Sequence, residues 1–364
     1  MIALKIKVAA LFLFFIITAN LSGDTIDFEK IKISDDVLLQ VSISMAVTED
    51  NLFLVVDFKG GDVKIYNSSG EIQKVLGRKG YGPNEFAQPL FCNYSDRKFI
   101  ISDVGQRKIF IYDRKGTFKF IRSKEIFAFS VGSDLFLKEN KLYIAGNKIT
   151  GDGIDYEFYS VDLEKNDNYI YFLPGYMKYG LNSASEYKNK VIKKSEISAI
   201  GGNAYFDIHG DFAYYLWEGD LKIFKINLKT KSISTFGKKT STYTKPYASK
   251  KLINSFSSRE SYKVRLKERS KMSYIRGIFN NHKYVMVIYE ARDSNHNDLG
   301  YMMQFYTIDG NFIKEIIIPH KPGFAMCYDK NKNILYSITS VPEGDDDESH
   351  YILKYTIHEN EISK

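Results

Sequence analysis

The residues able to do chemistry are scattered through this 364-residue chain, with no local constellation. The six histidines (209, 282, 296, 320, 350 and 358) show no H-E-x-x-H or other paired spacing. The stretch Asp293, Asn295, Asn297 and Asp298 has the oxygen-rich opening of a calcium loop. It lacks glycine at the sixth position, and Gln304 stands where a bidentate glutamate belongs. No cofactor is identified, and calcium is left open. Asp345, Asp346, Asp347 and Glu348 form a solvated acidic tip that could pair with a basic segment. There is no G-x-S-x-G elbow, Walker loop or dinucleotide fingerprint. Asp57, Asp103, Arg78 and Arg107 remain. They would serve a metal-dependent lyase or hydrolase at a central channel, or else hold their own loops by hydrogen bonds. A site built from one residue per repeat leaves no motif, so catalysis stays undecided.

Charge gives a stronger signal. The chain carries +7 overall. Residues 237–272 alone hold eleven Lys or Arg, Arg265 among them, against Glu260 and Glu268, which is +9. A second segment, 174–196, adds Lys178, Lys188, Lys190, Lys193 and Lys194 against two Glu. Such a surface attracts an anionic partner: an acidic polysaccharide, a phosphorylated envelope polymer, lipid headgroups or an acidic protein. Leu252, Ile253, Phe256, Tyr262 and Leu266 fall at roughly helical spacing, so this segment is expected to be partly helical, with those residues packing inward. Phe58, Tyr81, Trp217, Tyr243, Tyr247 and Tyr289 lie in or beside the same loops and would offer stacking faces to sugars or peptides.

The elements that position these residues are β-strands. Aromatics make up 15% of the chain, with 27 Tyr and 26 Phe, which favours pleated, half-buried surfaces. One unit recurs: short apolar strands joined by polar, glycine-bearing turns. Residues 52–76 and 99–121 show it most clearly, and weaker copies follow near 127–173, 197–236 and 275–318. The sixth copy has three strands, at 324–328, 334–339 and 351–357, and residues 24–34 supply a spare one. Joining them closes a ring without exposed sheet edges. The expected fold is all-β: a six-bladed β-propeller of four-stranded blades, closed by the N-terminal strand, with the insertion at 237–273 between blades 4 and 5. Turns on one face are uniformly short, whereas the other face holds every long loop (146–155, 174–196, 237–272, 290–300 and 340–350). Long loops cost entropy and are commonly kept for binding.

Residues 1–23 have the layout of a secretory signal peptide: Lys5 and Lys7, then an apolar run from Val8 to Ala19. After cleavage no transmembrane span remains. Cys92 and Cys327 fall in different repeats and are expected to be free thiols.

Gly77, Gly80, Gly82, Pro83, Glu85, Phe86 and Pro89 form a G-x-x-G-x-G-P-x-E-F-x-x-P run, followed by Asp103, Arg107 and Gly116. This stretch, 77–116, resembles the NHL repeat and the related six-bladed propeller family of exported bacterial proteins. The resemblance implies the fold and export to the periplasm or cell exterior, but no single activity. The expectation is an exported, monomeric binding module whose elaborated face holds an anionic polymer, glycan or protein of the cell envelope, and not nucleic acid. Its candidate ligand residues are Phe58, Arg78, Tyr81, Arg107, Trp217, Tyr247, Arg265 and Tyr289. The alternative is the channel-centred lyase or hydrolase.

Overall fold

In the computed structural model, residues 26–34, 39–114, 119–125, 131–149, 155–165, 169–178, 203–247, 249–255, 261–342 and 348–363 are described. The expected signal segment at 1–23 lies outside them. So do most of 174–196, the loop tips at 150–154 and 343–347 with the acidic run, and residues 256–260.

Six antiparallel sheets of four strands follow one another. Blade 1 comprises β2 (Ser42–Val47), β3 (Phe53–Asp57), β4 (Asp62–Tyr66) and β5 (Ile72–Leu76). Blade 2 holds β6 (Pro89–Ser95), β7 (Lys98–Asp103), β8 (Lys108–Asp113) and β9 (Lys119–Glu125). Blade 3 holds β10 (Val131–Lys138), β11 (Lys141–Ile149), β12 (Asp155–Asp162) and β13 (Tyr169–Pro174). In blade 4 these are β14 (Ala204–His209), β15 (Phe212–Trp217), β16 (Ile223–Asn227) and β17 (Ile233–Phe236). In blade 5 they are β18 (Tyr274–Asn280), β19 (Tyr284–Arg292), β20 (Asp298–Thr307) and β21 (Phe312–Ile317). Blade 6 has β22 (Met326–Asp329), β23 (Ile334–Pro342) and β24 (Glu348–Ile357). Its fourth strand is β1 (Ile26–Lys32), paired from Ile26 opposite Ile357 to Lys32 opposite Tyr351. The ring is therefore closed by the chain's first strand.

The core is not central. It is divided into six apolar layers, one between each pair of neighbouring blades. Strand side chains alternate between the two faces of a sheet. Phe53 and Val55 thus pack towards blade 6 while Leu54 and Val56 pack towards blade 2. Both faces are buried, which is why β3 reads as an unbroken apolar run.

The crossing into blade 2 shows how the glycine-rich run works. Gly77 has φ +71°, and a Cβ there would lie 2.3 Å from the Phe86 ring. Phe86 is fully buried, with its ring edge-on to Phe110 at 5.0 Å. Only glycine lets the chain turn this close to that ring.

Two helices, α1 (Lys250–Asn254) and α2 (Ser261–Arg269), occupy the insertion between blades 4 and 5. Ser249 caps the first by accepting the Leu252 N–H, and it donates to Glu268 on the second at 2.9 Å. Leu252, Met272 and Tyr274 form a small separate cluster beneath them. No helix among the described residues is long and apolar enough to cross a membrane.

Deleting residues 26–32 strips β24 of its outer partner. The melting midpoint is expected to fall by roughly 10 °C or more, read by calorimetry. An unchanged midpoint would remove the closure argument.

Candidate functional site

The inner strands β2, β6, β10, β14, β18 and β22 surround a central cavity of about 700 Å³. Each has one edge paired with its own blade, leaving backbone N–H groups on the other. For β6, β10, β14 and β18 the preceding blade supplies a side-chain acceptor. The Ser44 hydroxyl takes the Cys92 N–H at 3.0 Å, and the Ser95 hydroxyl takes the Leu137 N–H at 3.0 Å. The Asp134 carboxyl faces the Phe206 N–H, and Asp207 takes the Asn280 N–H at 2.9 Å.

At the short-turn end Lys330 donates to Asp207 at 2.5 Å and to the Ile208 carbonyl at 2.9 Å, and it reaches Asn280 Oδ1 at 3.4 Å. It thereby ties blade 6 to blades 4 and 5. Asp134 is pushed up to about 8 by burial and then by the Asp207 charge. Cys92 is a buried free thiol pushed up to about 12 by burial. Cys327, half-buried and also free, is raised well above its ordinary value by burial and by the neighbouring Cys92. Both thiols are protonated at neutral pH and poorly reactive.

The opposite end gathers a buried carboxyl and two guanidinium groups. Glu218 follows β15, is 4% exposed, and accepts the Asn203 N–H at 3.3 Å. Burial raises its pKa against the pull of Arg276 and Arg269. Arg276 on β18 donates to Glu290 at 2.6 Å and lies 5.0 Å from the Phe324 ring centre and 5.8 Å from that of Tyr274. Arg269, at the end of α2, lies 5.6 Å from the same Tyr274 ring centre. The Nε atoms of both arginines are buried without a hydrogen-bond partner. Asn203, Tyr205 and Phe324 complete this mouth. It can receive a small anion and an aromatic or apolar group beside it.

The residues singled out from sequence do not converge here. Phe58, Tyr81 and Tyr247 are exposed, at 37%, 78% and 42%, but none lines the cavity. Arg78 is 82% exposed and bridges to Glu85 at 2.7 Å, bracing its own crossing. Arg107 is exposed with φ +57° in the loop after β7, and Arg265 sits half-buried on α2. Two are corrected outright. Trp217 is 6% exposed within the packing of blades 3 and 4, because its indole fills the space over Gly219. Tyr289 is fully buried, and its hydroxyl joins Thr240 and Thr242 of the insertion to Glu315. Tyr243 packs edge-on against that ring at 5.4 Å. These rings anchor the insertion and offer no free face.

Asp57 and Asp103 are loop-holding groups. Asp57 accepts N–H bonds from Gln40, Val41 and Gly60, together with the Lys64 ammonium. Asp103 accepts from Ala87, Gln88 and Gln106. The two patterns coincide: each carboxylate pins the crossing that leads into its own blade. Glu218 occupies the corresponding strand end in blade 4, holds Asn203, and is drawn into the cavity wall. That equivalence, with the place of Arg276 early in an inner strand, is the signal that could have found the mouth.

Among the described residues no group of three or more His, Cys, Asp or Glu is placed to hold a metal ion. The Asp293 carboxylate instead takes the N–H groups of Asn295 and Asn297 and the Asn297 amide, shaping a turn.

The family model described as 6-bladed beta-propeller, DUF5128, matches residues 22–315. The chain belongs to that family. Among solved structures, it is similar to a protein of Bacteroides fragilis NCTC 9343 inferred to be exported, at 13% identity and TM-score 0.61, covering 93% of this chain and 98% of that one. It is also similar to a member of the DUF4221 family from Bacteroides vulgatus ATCC 8482, at 12% identity and TM-score 0.60, covering 91% and 97%. The virginiamycin B lyase of Staphylococcus aureus aligns at 11% identity and TM-score 0.48 over 92% of this chain and 100% of its own, too distant to carry chemistry here. No curated protein matches in sequence.

Two outcomes follow from this geometry. Asp103→Ala removes the acceptor of three backbone N–H groups and is expected to cost about 3 kcal/mol in denaturant unfolding. A loss below a few tenths would contradict the loop-pinning role. For Asp134 the folded chain keeps a proton that the unfolded chain releases between its ordinary pKa of 3.8 and about 8. Stability therefore falls as pH rises across that window and levels off above it. Asp134→Asn keeps an acceptor and removes the titration, so its midpoint is expected to climb relative to the wild type from pH 5 to 8. Parallel curves would contradict this.

Proposed function

We propose that this protein is an exported, monomeric binding module that holds an anionic partner, polymer, glycan or peptide, on its loop-elaborated face. The receiving site is the mouth of the central channel. One observation carries the reading: Arg269 and Arg276 stand at that mouth with buried, unpartnered Nε donors. Buried donors left unmade are unfavourable and are satisfied by a ligand acceptor.

The insertion supports it. Lys239 and Lys245 are drawn to Asp220, and Lys271 to Glu268. Lys250, Lys251, Lys263 and Lys267 remain exposed near the mouth and would steer an anion towards it. Export is supported by the layout of residues 1–23 and by the likeness to a protein inferred to be exported. We read 77–116 as an NHL-like repeat on its own glycines and Pro83.

The test is retention on immobilised polygalacturonate. Combined Lys250→Glu, Lys263→Glu and Lys267→Glu is expected to lower the eluting salt concentration about twofold while leaving the melting midpoint in place. Unchanged retention would remove the electrostatic reading.

A further inference from the structure

The mouth opens onto a wall of a different kind. Ile43, Phe91, Phe136, Tyr205, Phe279 and Met326 line the cavity, one from each blade. All six are only partly buried. Apolar side chains left partly open inside a cavity of about 700 Å³ suit a ligand body that is itself apolar.

The charges are not evenly placed along this channel. At the short-turn end Lys330 is met by Asp207, the Ile208 carbonyl and Asn280, so that end has its cation matched. At the elaborated mouth the acids are already committed. Both Glu290 oxygens are taken, one by Arg276 at 2.6 Å and one by Arg292 at 2.7 Å. The other arm of Arg292 holds Asp298 at 2.7 Å. Glu218, the remaining carboxyl, is buried beside Arg276 and Arg269, and burial raises its pKa against their pull. Arg269 makes no ion pair or side-chain hydrogen bond among the described residues, and its Nε and that of Arg276 are the unfilled donors. The site thus keeps two unfilled guanidinium donors above a shaft in whose wall the six apolar side chains alternate with Ser42, Ser44, Asn93 and Asp134. The Phe324 ring, 72% exposed and stacked beside Arg276, gives the rim an apolar edge.

We infer that the channel binds a slim amphiphilic organic acid, with its anionic head between Arg269 and Arg276 and its hydrocarbon or aromatic body running down between the six inner strands. This rests on the reading of the mouth as an anion receptor and names the class of ligand it takes. An acidic sugar satisfies the head but leaves the six partly open apolar side chains uncovered. A neutral aromatic satisfies the shaft alone and leaves the guanidinium donors unmade.

Isothermal titration calorimetry on the purified chain separates these cases with three probes: 4-phenylbutyrate, its amide 4-phenylbutanamide, and galacturonate. The acid is expected to bind at least about tenfold more tightly than either of the others. Arg269→Gln, at a partly exposed helix end, is expected to bring the acid down to the level of the amide without moving the melting midpoint. Arg276→Gln is the stricter variant, but it strands Glu290, so the first variant carries the result if the second fails to fold. Equal affinity for acid and amide would overturn the role of the arginines. Equal affinity for galacturonate would overturn the role of the shaft. Binding of none of the three would overturn the inference, while salt-dependent retention on polygalacturonate would still stand for the broader reading.

Discussion

Every inner strand in this ring has one edge without a partner strand. Backbone N–H groups demand acceptors when water is scarce. In successive blades the acceptor is a side chain from the blade before: Ser44, Ser95, Asp134 and Asp207. The choice of serine or aspartate follows the local setting. Where two acids come close, Asp207 pairs with Lys330 and the pKa of Asp134 is raised by burial and by Asp207. The channel's apparent chemistry at that end is thus largely the chemistry of holding the blades together.

That hand-over governs how the rest of the chain is arranged. Blades meet through apolar layers, so middle strands such as β3 bury both faces and carry apolar runs. The crossings between blades must then be fixed by polar groups at strand ends. Asp57 and Asp103 do this with matching sets of backbone bonds. In blade 4 the longer Glu218 takes over the crossing residue Asn203 and brings a carboxyl into the cavity wall. A position that holds a crossing there also lines the cavity.

The insertion between blades 4 and 5 reaches the same cavity. It is tied down by hydrogen bonds from Thr240 and Thr242 to Glu315 and by the buried Tyr243 and Tyr289 rings. It then delivers Arg269 to the channel mouth, where both Arg269 and Arg276 approach the Tyr274 ring. Most of its charge is ordinary surface charge, and one arginine gives it a place in the cavity. Two guanidinium groups with unpartnered Nε donors and six partly open apolar side chains, one from each blade, line this channel.

The amino-acid sequence by itself determined the six-fold repeat, the closing strand at 26–32, the partly helical insertion and the side on which long loops accumulate. These are legible because strand periodicity, turn glycines and loop length are local properties. The basic excess of 237–272 was legible for the same reason. The sequence also pointed to aromatic residues near the loops, and there it misled: Trp217 and Tyr289 are apolar bodies with polar tips, and packing consumed both parts. Only the tertiary structure decided that Asn203, Tyr205, Glu218, Arg269, Arg276 and Phe324 share one mouth. They come from three blades and an insertion, far apart along the chain. No spacing rule links them, because their proximity is set by ring closure and not by any local run of residues.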